Sequence, residues 1–125
     1  MADYTAKRIG DMEAAFGGGF VKARAELGVT SLGIQVIQLP ANSEDYPEHD
    51  HSEDAQEEVY LALTGSGWLD IEGERVDLEE DMLVRVGAAA KRKVYAGPEG
   101  LRVLVLGACP GEPYKIKPFS ELASA

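Results

Sequence analysis

From Gly33 to Leu106 the chain is cut into short apolar runs, most of them ended within a few residues by glycine, proline or asparagine. That punctuation is the tightest constraint on the fold. A helix needs roughly ten or more uninterrupted residues to bury a face, whereas a strand needs only about four to eight. Ile34, Val36, Ile37 and Leu39 form a β-branched run stopped by Pro40 and Asn42. Glu58 to Thr64 is closed by Gly65-Ser66-Gly67, and Trp68-Leu69-Asp70-Ile71 follows. Glu72-Gly73 then separates that run from Glu74 to Leu78, a hairpin signal in which Gly73 supplies positive φ. Met82 to Val86, Lys91 to Ala96 and Leu101 to Leu106 complete the set, the last two parted by a turn at Gly97-Pro98-Glu99-Gly100. Some seven to nine short strands with no long helix are expected, the pattern of an all-β sandwich or barrel.

The chain ends are less regular. Asp11 to Phe16 can form a helical turn or two before Gly17-Gly18-Gly19 stops it. Ala23 to Leu27 favours helix by propensity, but its length and the Gly28 stop also suit an edge strand, and a strand is expected over Phe20 to Leu27. Residues 110–125 form a tail with three prolines that carries Tyr114, Ile116 and Phe119, apolar material for docking on the domain or on a second subunit. With 125 residues, no internal repeat and no linker, a single domain over 1–125 is expected.

Composition narrows the function. There are 22 acidic and 12 basic residues, a formal charge of −10. Nucleic acid and anionic membrane surfaces both call for a basic patch, so neither is an expected partner. No apolar stretch approaches membrane-spanning length, and the N-terminus lacks the apolar segment of a secretory signal. Cys109 is the only cysteine, so an intramolecular disulfide and a zinc–thiolate cluster are both impossible. A reducing compartment follows, and the chain reads as a soluble cytoplasmic protein. Ser31, Ser43 and Ser66 lack a nucleophile-elbow context, and Gly17-Gly18-Gly19 lacks the Lys-Ser/Thr of a phosphate loop. Glu79-Glu80-Asp81 reads as a solvated turn.

Both histidines of the chain fall in Glu48-His49-Asp50-His51. On extended backbone, residues i and i+2 share a face, so two imidazoles are presented together to one divalent metal. Glu58, opening the next apolar run, is a third candidate; two histidines and a carboxylate form the facial triad of many non-haem iron sites. The plain alternative is a solvated acidic loop, given Glu44, Asp45, Glu48, Asp50, Glu53 and Asp54 around the pair.

These residues resemble the first motif of the cupin family, small jelly-roll β-barrels. That motif runs Gly, five residues, His-x-His, three or four residues, Glu, six residues, Gly. Here His49 and His51 supply the pair, and Glu58 is followed by six residues and then Gly65. Ser43 stands in place of the opening glycine, and six residues separate His51 from Glu58, which makes Glu57 a rival ligand. Only one of Glu57 and Glu58 should point inward. The second motif, Gly, five residues, Pro-x-Gly, two residues, His, three residues, Asn, falls on Asp81, Gly87, Ala89, Arg92 and Ala96, with no motif residue retained. Arg92 thus takes the place of a ligand histidine, and a guanidinium has no lone pair for a metal.

The resemblance implies a double-stranded jelly-roll barrel over about 33–107 and a divalent transition metal (Zn, Fe, Ni or Mn) on His49, His51 and Glu58. Such barrels are open at their sheet edges, which are normally covered or paired, so a homodimer is expected, with segment 20–32 and the tail Tyr114 to Phe119 as spare apolar material. It implies a small-molecule ligand and dioxygenase, isomerase or lyase chemistry. Arg92 would then clamp a substrate carboxylate, with Tyr60 and Trp68 lining the pocket beside Met82 and Tyr95. The alternative is a metal-free ligand-binding cupin without catalytic activity, in which Arg92 pairs with Glu58 in the vacated metal position. A slip of one residue would turn Lys91 or Lys93 inward in place of Arg92.

Overall fold

The computed structural model describes residues 2–123. One antiparallel sheet of seven strands carries the fold: β1 Ala14–Ala15, β2 Phe20–Val21, β3 Gly33–Leu39, β4 Glu57–Ile71, β5 Glu74–Leu78, β6 Val84–Val86 and β7 Arg92–Ala108. Their order is β1-β2-β3-β7-β4-β5, with β6 paired to β4. The all-β class is as expected and seven strands fall within the expected count, but two are much longer. Gly65-Ser66-Gly67 and Gly97-Pro98-Glu99-Gly100 do not end strands. Both lie inside β4 and β7, which pair with each other along nearly their whole length and shift register beside Thr64 and between Gly65 and Gly67.

Those shifts reverse the facing of the side chains. Before them, Glu58, Tyr60 and Ala62 are buried; after them, Gly67 and Leu69 are. In β7, Arg92, Val94 and Ala96 are buried before the interruption and Leu101, Val103 and Val105 after it. An extra residue on one strand of a pair changes the parity of everything beyond it. Both halves of each long strand therefore feed one core, which gathers Tyr60, Leu69, Val94, Leu101 and Val103 with Ile37, Leu78 and Val86.

Gly65 sits where the two long strands come closest. Its φ is +82°, and a Cβ there would fall on the carbonyl oxygen of Gly100 and lie 2.9 Å from its carbonyl carbon. The β4–β5 turn is different in kind. Glu72 and Gly73 both have positive φ, 51° and 87°, the two-residue arrangement that matches strand twist, and Asp70 accepts the Gly73 N–H at 2.9 Å.

Three local expectations are corrected. Ala23–Leu27 is a short helix, α1, not a strand; Gly28 ends it in the left-handed region at φ 78°, so propensity prevailed over neighbourhood. Met82 is exposed in the turn before β6, which begins only at Val84. In place of a helical turn over Asp11 to Phe16 there are two 3-10 turns, Ile9–Asp11 and Phe16–Gly18, with β1 between them.

The two turn glycines give a test. Gly65→Ala combines left-handed strain with collision against backbone and should cost about 3 kcal/mol or more. Gly73→Ala meets no atom within 4 Å and should cost only about 1–2 kcal/mol of backbone strain. Urea denaturation of both variants measures the gap; equal costs would mean that β4 and β7 are not in close contact at Gly65.

Candidate metal centre

Three elements bring the site together. His49 and His51 lie on extended chain before β4. His49 exchanges both backbone hydrogen bonds with Arg92 at 2.9 Å, and the His51 N–H donates to Ala88 O at 2.7 Å. The segment is therefore stitched to the chain entering β7, and both imidazoles turn the same way, their ring centres 5.1 Å apart. Glu58 comes from the inward face of β4. Its Oε1 lies 3.8 Å from His49 Nε2 and 3.4 Å from His51 Nε2. One ligand atom from each of the three residues falls within 4.8 Å of the others.

The rival carboxylate is settled by facing. Glu57 points outward and pairs with Arg85 at 2.8 Å, while Glu58 is buried. Asp50, between the histidines, turns away to accept the Ser52 N–H and O–H.

Each imidazole is oriented through its other nitrogen. His49 Nδ1 lies 3.2 Å from Pro47 O, and His51 Nδ1 lies 3.0 and 3.2 Å from the two oxygens of Asp54. Both partners accept, which fits a proton on Nδ1 in each ring and leaves Nε2 facing Glu58, where it donates when protonated and offers a lone pair when not. His51 Nε2 is buried with no hydrogen-bond partner. When both imidazoles are neutral, two lone pairs and a carboxylate oxygen converge, which suits a divalent cation, and an acceptor behind each histidine is the usual support of a metal-ligating imidazole. The residues present therefore fit a transition metal held by three protein groups.

The protonation energetics agree. Burial pushes the Glu58 carboxyl up, but His49, His51 and the Tyr60 hydroxyl, which donates at 2.9 Å, outweigh it and hold it well below the usual carboxylate range. His51 is raised, chiefly by Glu58 and against its own burial. Without a metal, that proton occupies the space a metal would take. The neighbouring Tyr46, edge-on to His49, is pushed up to about 12 by burial and by Glu58.

Arg92 turns inward as its motif position implies; Lys91 is exposed and Lys93 partly so. It is 0% exposed. One guanidinium nitrogen donates to Gly87 O at 2.6 Å, and Nη1 stands 3.7 Å from Glu58 Oε1. That is near enough for charge attraction and too long for a hydrogen bond, and Nε and Nη1 have no partner.

A cleft of about 800 Å3 opens over the triad. Neither Arg92 nor Tyr60 lines it; both are packed beside Glu58 inside the sheet. Trp68 lies on the outer face. Its ring stacks on Tyr95 at 5.2 Å, and Arg75 covers it at 4.0 Å. Counting alternate residues on from Tyr60 and Ala62 puts Trp68 inside, and the register shift puts it outside. Sequence reasoning missed Asp54, although a carboxylate three residues after His51 was a readable signal. It also missed Phe16, Phe20 and Phe119 on the cleft wall, which only the packing of both chain ends brings there.

No protein-family model matches the sequence, and no curated protein does. Solved structures do match. A cupin protein from Bacteroides fragilis superposes with a TM-score of 0.71 at 22% identity, over 94% of this chain and 93% of that one. A sugar phosphate isomerase from a cupin superfamily, from Silicibacter pomeroyi, gives 0.68 at 12% identity, over 83% and 75%. The Cupin_2 domain of an XRE family transcriptional regulator from Enterobacter cloacae gives 0.55 at 19%, over 66% and 86%. The chain has the cupin fold.

Arg92 can be tested directly. Arg92→Ala leaves Glu58 without its nearest permanent cation and should destabilise the metal-free protein by about 3–5 kcal/mol. Adding Glu58→Gln should recover much of that loss, because the buried charge goes with it. Arg92→His should tighten metal binding, by removing a cation and adding a ligand; calorimetric titration reads the change. Unchanged affinity would place residue 92 outside the reach of the metal.

Proposed function

We propose that this protein is a small cupin that binds one divalent transition metal through His49, His51 and Glu58, and binds or acts on a small molecule in the cleft above it. The observation that carries the reading is the pair of imidazole Nε2 atoms aimed at one buried carboxylate oxygen, each ring held through Nδ1 by an acceptor. A metal bound there would supply a Lewis acid with open positions for water or substrate. The protein's own groups hold the ligands. Asp54 orients His51, Pro47 O orients His49, and Tyr60 donates to Glu58. Dioxygenase, isomerase and lyase chemistry all fit such a centre, and one fold neighbour is named as a sugar phosphate isomerase. Zn, Fe, Ni and Mn are the candidate metals.

The second reading, a metal-free ligand-binding cupin, is favoured by Arg92. A permanent cation 3.7 Å from Glu58 already balances the carboxylate.

A cytoplasmic homodimer completes the proposal. The single cysteine supports a reducing compartment. No helix among the described residues is long and apolar enough to cross a membrane. The segments expected to be spare for an interface pack on their own chain instead, Phe20 against Phe119 and Lys22 against Glu121. Phe119 and Ile116 of the tail remain exposed and available to a second subunit, and sedimentation at micromolar concentration, where a monomer alone would refute the dimer, reads it.

Elemental analysis of untagged protein, before and after chelation, decides between the two readings. Stoichiometric metal is expected, abolished by His49→Ala or His51→Ala. Asp54→Asn should weaken binding by roughly 10–100-fold through the loss of its hold on His51. Failure to take up Zn, Fe, Ni or Mn supplied in excess would leave the metal-free reading.

A further inference from the structure

The cleft is lined by two unlike groups. One is the triad. The other is a wall of three phenylalanines: Phe20 is buried at 4% exposure, while Phe16 and Phe119 stand out at 74% and 50%. The rings form one cluster, with centres 5.3 to 6.2 Å apart. Phe16 comes from the N-terminal segment, Phe20 from β2 and Phe119 from the C-terminal tail.

Two observations show that this wall is built. First, a buried ammonium ties together the segments that carry the exposed rings. Lys22 Nζ donates to the Glu13 carboxylate at 2.6 Å and to Glu121 O at 2.8 Å, and Glu13 also accepts the Ala123 N–H at 2.9 Å. Glu13 is three residues from Phe16, and Glu121 two from Phe119. Second, Phe16 is held at φ 54°, with Gly17 and Gly18 following at 68° and 98°. A bulky side chain in the left-handed region is strained, and such strain persists where it serves a function. Folding has not hidden the ring that bears it.

We propose that the small molecule taken by this cleft carries a phenyl-sized apolar end, seated on Phe16, Phe20 and Phe119, with its polar end at His49, His51 and Glu58. This rests on the triad as the polar end of the site. The cleft volume is that of a small-molecule site, with an apolar wall and a few convergent polar groups. Asp45, Asp50 and Glu53 line it against Lys117, which is itself paired with Asp54. A net acidic rim disfavours an anionic ligand, so the apolar end is the part the wall selects.

The test separates the two ends. N-phenyl-1-naphthylamine, a neutral fluorophore, is titrated into metal-free protein. Saturable binding is expected, weakened about fivefold or more by Phe16→Ala and by Phe119→Ala, with cobalt uptake retained. On cobalt-loaded protein, 3-phenylpropanohydroxamate should bind about tenfold or more tighter than acetohydroxamate, the gain from burying a phenyl group. Both alanine variants should erase that advantage. Phe16→Gly, which relieves the strained backbone, should keep its melting temperature and still lose the fluorophore. No fluorophore binding, equal affinity for the two hydroxamates, or variants that change only melting temperature or oligomeric state would overturn the proposal. If cobalt is not taken up but the fluorophore behaves as expected, the metal reading fails and the apolar wall stands.

Discussion

Glu58 places a carboxylate inside the sheet, where water cannot solvate it. A buried charge persists only if its surroundings answer it, and four side chains converge on the same oxygen, Oε1. Tyr60 donates from two residues along the strand. Arg92 brings its charge from β7. His49 and His51 close the remaining side from the segment before β4. The second motif, the His-x-His segment and the long central strands therefore meet at a single atom. Arg92 meets part of the electrostatic demand of Glu58 with a group that has no lone pair for a metal.

The arrangement depends on how β4 and β7 are paired. Each runs through two halves of the sheet, and each changes its inward parity at a glycine-bearing interruption. Without those shifts, a strand that points Glu58 and Tyr60 inward would bring Trp68 inward too and leave Leu69 outside. The close approach of Gly65 to Gly100 lets the same two strands serve both halves, so the core and the Glu58 cluster share one ladder.

The cleft is made by the chain ends. Phe16, Phe20 and Phe119 are separated by up to a hundred residues and are joined by Lys22 with its two carboxylate-and-carbonyl partners. A cupin sheet thus supplies the polar end of the site, and peripheral segments supply the apolar end. The two ends are linked at one point, where Lys117, next to Phe119, pairs with Asp54, the carboxylate that orients His51.

Much of the site was legible in local sequence because its determinants are short-range. Alternation places His49 and His51 on one face and allows only one of Glu57 and Glu58 inward, and the motif spacing to Gly65 favours Glu58. The motif spacing brought Arg92 inward at the right register. What failed needed non-local information. Ala23–Leu27 became a helix in a mostly β chain. Glycines at 65–67 and 97–100 bent strands that they were expected to end, because a partner strand held the ladder together across them. Trp68 was lost to the outer face by the same shift. The sequence by itself determined the strand class and the identity of the three converging groups, since both follow from side-chain period. Only the tertiary structure decided which residues meet across the cleft, because loop closure and strand register set distances that periodicity does not encode.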